Sequence, residues 1–353
     1  MSDVYTRLAQ HLDSLPAGFP ATQNGVELKI LQKLFTSQEA EIASQMSMMP
    51  DSVEKLAQKM DMDPSELAPL LENMAQKGLI FRYRKKGTPY YMAAQFVIGI
   101  WEYHVNDLDE ELIELVNEYA PDLMRTAWER TRTKQLRVIP ISEEVEADTT
   151  VMPYDQAENI ITAQTKIAVA PCICRRERSM VGEGCDNPQE TCLVFGGAAD
   201  FYLENGLARE IDQQEALRIL EVGRQAGLVL QPGNAQKPAS MCMCCGCCCQ
   251  ILRNLKRMEK PSHMVHTNFV ATVNPEACTG CGVCRDRCHM EAITVDDVAR
   301  VDPERCIGCG VCVPGCEFEA ISMQAKDAQE VYEPPKNVIE TYMSMAQERM
   351  SNA

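Results

Sequence analysis

Cys278-Thr-Gly-Cys281-Gly-Val-Cys284-Arg-Asp-Arg-Cys288 and Cys306-Ile-Gly-Cys309-Gly-Val-Cys312-Val-Pro-Gly-Cys316 are one pattern written twice, twenty-eight residues apart. Each copy is C-x₂-C-x₂-C-x₃-C. That spacing holds a [4Fe–4S] cube, with the fourth cysteine of each run serving the other cluster. Three thiolates so close in sequence reach one cube only if the backbone between them is tight. Gly280, Gly282, Gly308 and Gly310 supply that freedom and let amide N–H groups approach sulfur. A pair of zinc sites would prefer two C-x₂-C pairs and would explain neither the third cysteine nor the doubled register.

The repeat runs beyond the ligands. Val273-x-Pro275-Glu276-x-Cys278 matches Val301-x-Pro303-Glu304-x-Cys306, and Glu291-Ala292-Ile293 matches Glu319-Ala320-Ile321. With these residues, the segment 268–325 resembles the bacterial-type ferredoxin with two [4Fe–4S] clusters. The resemblance implies that each half is strand, cluster loop, short helix and strand, related by a pseudo-twofold axis. It also implies that Cys278, Cys281, Cys284 and Cys316 hold one cluster, and Cys306, Cys309, Cys312 and Cys288 the other. The chain departs from the family at His289 and Glu317, where proline usually follows the fourth cysteine.

A chain of 353 residues with 45% apolar content suffices for two or three domains with real cores. The longest compact apolar run of the N-terminal half, Phe96–Trp101, is far short of a membrane span. The start, MSDVYTRLAQ, has no basic region leading into an apolar core, so a cytoplasmic protein is expected. Eighteen cysteines at metal-ligand spacings then point to thiolate ligation in a reducing compartment rather than to disulfides, and to an anaerobic or microaerobic host. The net charge of −17 opposes nucleic acid as main partner and favours a redox protein with a basic docking surface.

Residues 26–92 carry helical periods and then a hairpin. Leu28, Leu31, Leu34 and Phe35 mark a first helix. Thr36 with Glu39 forms a capping box opening a second through Met48, and Val53, Leu56, Ala57 and Met60 give a third. Asp63-Pro64 starts a fourth with Leu67, Leu70, Leu71 and Met74 inward, ended by Gly78. Leu79–Tyr83 and Tyr90–Met92 flank a Lys85-Lys86-Gly87-Thr88 turn. The order resembles a winged helix of the transcription-factor type. DNA binding would use the helix around Ser65–Lys77 and the basic residues Arg82, Arg84, Lys85 and Lys86. That helix carries Glu66, Glu72, Asn73, Gln76 and Lys77 but no arginine, which is poor material for reading guanine. A docking or structural module is the competing reading. Residues 93–150 read as helical and acidic, with Trp101 and Trp128 as core anchors and Arg125, Arg130, Arg132 and Arg137 as a solvated basic face.

Ten cysteines lie outside the repeat: Cys172, Cys174, Cys185 and Cys192, then Cys242, Cys244, Cys245, Cys247, Cys248 and Cys249. Strand Lys166–Ala170 and helices Tyr154–Gln164, Ala198–Gly206 and Gln213–Gly227 frame the first group. Six thiols in eight residues would oxidise or scavenge metal if left free, so one or more further iron–sulfur centres are expected. Either each group supplies its own centre or both share one, and structural zinc is the alternative. Arg175, Arg176 and Arg178 would neutralise a thiolate-rich site. His263 and His266 are weak ligand candidates, and His289 is placed to tune a cluster.

The expected fold class is α+β and multidomain: a winged-helix-like domain over 1–95, a helical connector over 96–150, a cysteine-rich metal-binding domain over 151–262, the dicluster module over 263–326 and a helical tail over 327–353. This order resembles winged-helix-containing 4Fe–4S ferredoxin proteins of anaerobic bacteria and archaea. The expected function is electron transfer, alone or as a redox-enzyme subunit. The alternatives are a redox-sensing winged-helix regulator and an iron–sulfur enzyme with its own open metal site. No G-x-G-x-x-G follows a strand, so no nucleotide cofactor is expected.

Overall fold

The computed structural model describes residues 3–141, 152–327 and 329–352. Part of the expected acidic connector, residues 142–150, lies outside them. The chain mixes helix and sheet and forms two compact units. One is Met1–Thr133 with Gly197–Arg209 and Tyr342–Ala353; the other is Lys134–Gly196 with Glu210–Thr341. The repeat and all ten further cysteines therefore share one unit. Among the described residues no helix is long and apolar enough to cross a membrane.

The first unit is helical with one hairpin. Helices Val26–Leu34, Ser37–Ala43, Val53–Met60 and Pro64–Gln76 precede strands Ile80–Lys85 and Thr88–Ala93. The capping box at Thr36 is complete, with each partner bonding the other's backbone N–H. The helix it opens stops at Ala43 rather than Met48. Ser44 Oγ donates back to the Glu41 carbonyl, a local bond that competes with helix continuation. Asp63 caps helix Pro64–Gln76, and Gly78 at φ +77° follows its end. The hairpin turns on Lys86 and Gly87, both left-handed, which suits the strands' twist. Asp51 exchanges two backbone hydrogen bonds with Tyr91, an isolated bridge against the second strand. Thr36→Ala is expected to cost about 1 kcal/mol, read as a lower urea midpoint at unchanged slope.

Of the expected solvated basic face, Arg125 and Arg132 are exposed and Arg130 is half-buried, whereas Arg137 is buried. Arg125 pairs with Asp122 and Arg130 with Asp13. Arg137 belongs to the second unit, where its side chain is 2% exposed and donates to Asp155 at 2.7 Å. A guanidinium so deeply buried needs a carboxylate partner, and Asp155 is it. Trp101 is buried as expected, while Trp128 is half-buried.

The second unit is built on a five-stranded sheet in the spatial order Arg209–Ile211, Ile167–Pro171, Glu190–Phe195, Ser240–Cys244, Val229–Pro232. Helices Ala157–Thr162 and Gln213–Gln225 accompany it; Asp212 caps the latter, and Gly227 follows it in left-handed conformation. Register matters here. Cys192 lies directly opposite Cys242, and Cys244 opposite Val229. The repeat forms two small sheets, Phe269–Val273 with Ile321–Ala325 and Ile293–Val295 with Ala299–Val301, around a core of Phe269, Ile293, Val313, Ile321 and Met323. The first half carries a short helix, Val283–Arg287, whereas the second has only a 3₁₀ turn, Val313–Gly315. Pro314 removes the N–H that a longer helix would need.

Candidate metal centres

Each cysteine quartet of the repeat lines its own cavity. Cys278, Cys281, Cys284 and Cys316 line one, with Val283 and Phe318 at its wall. Cys288, Cys306, Cys309 and Cys312 line another, with Met290, Ile293 and Val311. In each, three thiols come from one half and the last from the other.

Backbone amides aim at the sulfurs with the period of the sequence repeat. Ala292 N donates to Cys288 Sγ and Ala320 N to Cys316 Sγ, each at 3.3 Å. Ala299 N donates to Cys278 Sγ at 3.3 Å, and its counterpart Ala271 does the same for Cys306. Such N–H groups stabilise negative charge on sulfur. Glu291 and Glu319 adopt φ of 53° and 50°, a conformation that non-glycine residues rarely enter, at the same place in both halves. All four loop glycines are left-handed, and at two of them no side chain fits. A Cβ on Gly280 would lie 2.6 Å from the Asp297 carbonyl, and one on Gly308 would lie 2.3 Å from that of Phe269.

The two cavities differ in depth. Cys281 is exposed, next to Val283 and Phe318, which are 42% and 50% exposed. The amides of Ala299 and Gly280 hold the Cys278 thiol below its ordinary value. Around the other cavity, burial pushes Cys309 up to about 12 and raises Cys306 and Cys312. Ile141 N bonds the Cys309 carbonyl at 3.0 Å, and Arg305 ties the second loop to the carbonyls of Lys256 and Met258. His289, adjacent to Cys288, holds Gly227 O at 2.8 Å with Nε2, and a Cβ on Gly246 would meet the His289 ring at 2.9 Å. His289, next to Cys288, thus packs against Gly246, which lies between Cys245 and Cys247.

Those ten cysteines sort into two constellations that mix the sequence groups. Cys172, Cys174, Cys249, Cys244, Cys242 and Cys192 form one hydrogen-bonded succession of thiols. Hydrogen bonds from neighbouring thiols and burial raise Cys172 and Cys242 well above the usual thiol range. Cys185, Cys245, Cys247 and Cys248 form the other, with all four sulfurs within 4.8 Å of one another. Burial raises Cys185, but Asn187 N–H groups and hydrogen bonds with Cys247 and Cys248 bring it down to about 7. Arg175 is fully buried and acts electrostatically on Cys172, Cys185, Cys244 and Cys245. It donates to the Met243 carbonyl at 2.6 Å and to Thr191 Oγ at 2.6 Å. Arg178 is engaged by Glu183 instead. His263 is exposed and His266 stacks on Tyr332, so neither joins the grouped thiols among the described residues. Asn187 and Gln231 also contact the middle thiols, the latter with its amide nitrogen 3.9 Å from Cys249 Sγ, and neither is among the expected site residues. For Asn187 the available signal was its place two residues after a cysteine.

Residues 299–322 match the 4Fe-4S binding domain family. The comparison with curated proteins gives no match, and neither does that with solved structures. Family match and cysteine geometry together define an iron–sulfur protein. The donor sets fit the group: four thiols per cavity, amides directed at sulfur, and glycines where a Cβ would collide.

Proposed function

We propose that the protein is an iron–sulfur electron-transfer protein or redox-enzyme subunit. Cys278, Cys281, Cys284 and Cys316 hold one [4Fe–4S] cluster, Cys288, Cys306, Cys309 and Cys312 a second, and the middle cysteines at least one further centre. The observation that carries this reading is the pair of cavities, each lined by one complete quartet. Bound there, the cubes supply one-electron transfer at low potential. The chain's own residues position, cover and tune. Ala271, Ala292, Ala299 and Ala320 direct N–H groups at ligand sulfur, and Met290, Ile293 and Val311 keep water from the inner quartet. The outer quartet is positioned for exchange with a partner through exposed Cys281, Val283 and Phe318. Exposed Asp286, Asp296, Asp297 and Glu317 flank its loops, which suits a partner with a basic face. The inner quartet is positioned for exchange within the chain, because His289 bridges from Cys288 to Gly246, between Cys245 and Cys247.

The test is anaerobic iron and acid-labile sulfide analysis with EPR of the reduced protein. About eight irons are expected from the repeat alone, with more from the middle segment. Colourless protein holding only zinc would sink the reading.

The N-terminal winged-helix-like region serves as a structural or docking module in this proposal. Arg82 and Arg84, the residues a wing would offer to phosphate, are held by Glu72 and Glu204, and Arg82 is 3% exposed. The full-length protein is therefore expected to give no salt-sensitive mobility shift with duplex DNA. A shift that responds to the redox state would favour the regulator instead.

A further inference from the structure

The quartet of middle cysteines is compact enough to fix the kind of metal centre it suits. Around a single ion with metal–sulfur bonds near 2.3 Å, the edges of a sulfur tetrahedron are about 3.8 Å. In the quartet, Cys185 to Cys245 is 3.9 Å, Cys185 to Cys248 is 3.5 Å and Cys247 to Cys248 is 3.8 Å. No pair exceeds 4.8 Å. Thiolates on a four-iron cube each bond a different iron and point outward, so they stand further apart than this. The quartet has the size of one ion.

We propose that Cys185, Cys245, Cys247 and Cys248 bind a single tetrahedral thiophilic ion, iron or zinc, separate from any cluster held by Cys172, Cys174, Cys192, Cys242, Cys244 and Cys249. The proposal rests on reading the middle segment as metal-binding and divides that segment in two. Backbone alternation explains the sorting. Strand Ser240–Cys244 sends Cys242 and Cys244 to one face, toward Cys192 on the neighbouring strand. Cys245, the first residue after the strand, joins Cys185 instead. Gly246 then gives a turn that brings Cys247 and Cys248 to Cys245, and Cys249 starts helix Gln250–Lys256 back on the first side. Eight residues thus serve two centres without any one thiol being shared. Cys185 reaches the quartet from the 181–189 loop.

The surroundings suit an ion with four thiolates, which carries a net charge of −2. Arg175 supplies buried positive charge beside Cys185 and Cys245. Asn187 Nδ2 donates to Cys185 Sγ at 3.3 Å, the kind of contact that orients a metal-bound thiolate. Cys247 is exposed, so the ion lies close to the surface, where exchange with added metal is feasible.

The experiment uses the anaerobically purified full chain and measures metal by elemental analysis beside acid-labile sulfide. Cys185→Ser and Cys247→Ser should each lose one metal equivalent with sulfide unchanged, whereas Cys192→Ser should lose iron and sulfide together. Exchanging the single ion for cobalt with the clusters left in place should give the d–d bands of tetrahedral cobalt thiolate, and Cys247→Ser treated in the same way should lack them. The identity of the lost metal separates iron from zinc. Loss of about four irons with as many sulfides from Cys185→Ser, or no metal loss in either variant, overturns the proposal. Wild-type protein free of sulfide would instead overturn the iron–sulfur reading and leave the single-ion site standing. Cys247 is on the surface, so its variant reports even if Cys185→Ser folds poorly.

Discussion

Cys309→Ser will remove about four irons and as many sulfides while leaving the outer quartet loaded, and it will also weaken the fold. Cys281→Ser should cost the same metal with a smaller loss of stability. The contrast follows from position. Cys309 lines the inner cavity with Met290, Ile293 and Val311, and its carbonyl receives the Ile141 amide. Emptying that space leaves apolar walls without a filling, and binding free energy that had supported the folded state is lost with the cluster. Cys281 is exposed, beside the exposed side chains of Val283 and Phe318. Metal analysis with thermal denaturation of both variants decides the matter. Equal iron loss with equal melting temperatures would remove the distinction between inner and outer sites.

Gly308→Ala should abolish loading of the inner quartet, and Gly282→Ala should spare the outer one. Both glycines are left-handed, at φ of 68° and 83°, so both substitutions carry about 1–2 kcal/mol of backbone strain. Space separates them. A methyl on Gly308 would sit 2.3 Å from the Phe269 carbonyl and 2.4 Å from Thr267 Oγ1, and the carbonyl belongs to a paired strand that cannot yield. On Gly282 it would meet only the Arg285 guanidinium at 3.3 Å, the far end of a side chain that can swing away. Iron content of the two variants, with cluster absorbance during reconstitution, gives the readout. If Gly308→Ala reconstitutes fully, the loop has more room than its geometry states.

Local chemistry made much of this chain readable. The capping box at Thr36, the stop at Gly78, the turn at Lys86-Gly87 and the caps at Asp63 and Asp212 all depend on residues near one another in sequence. Helix faces were read less well. Val26 and Ile30 are buried on helix Val26–Leu34, whereas Leu28 and Leu34 are half-buried, because tertiary neighbours choose among several apolar stripes. Arg137 was read as surface because its carboxylate, Asp155, lies eighteen residues on and carries no sequence mark of pairing. The repeat announced both quartets through spacing. The middle cysteines could not be sorted this way, since their grouping depends on which strands are neighbours. Cys192 meets Cys242 through a register that only the folded sheet fixes.

The crossed amides of the repeat have a consequence for how this module can change over time. Ala299, from the second copy, serves Cys278 of the first, and Ala271 serves Cys306 in return, while Cys316 and Cys288 trade places in the same manner. Strand Phe269–Val273 at the beginning is zipped to strand Ile321–Ala325 at the end. Excising one copy would therefore orphan ligands and donors in the survivor. A lineage dispensing with one redox centre is confined to replacing individual cysteines, and a fragment holding a single copy should incorporate no stable cube.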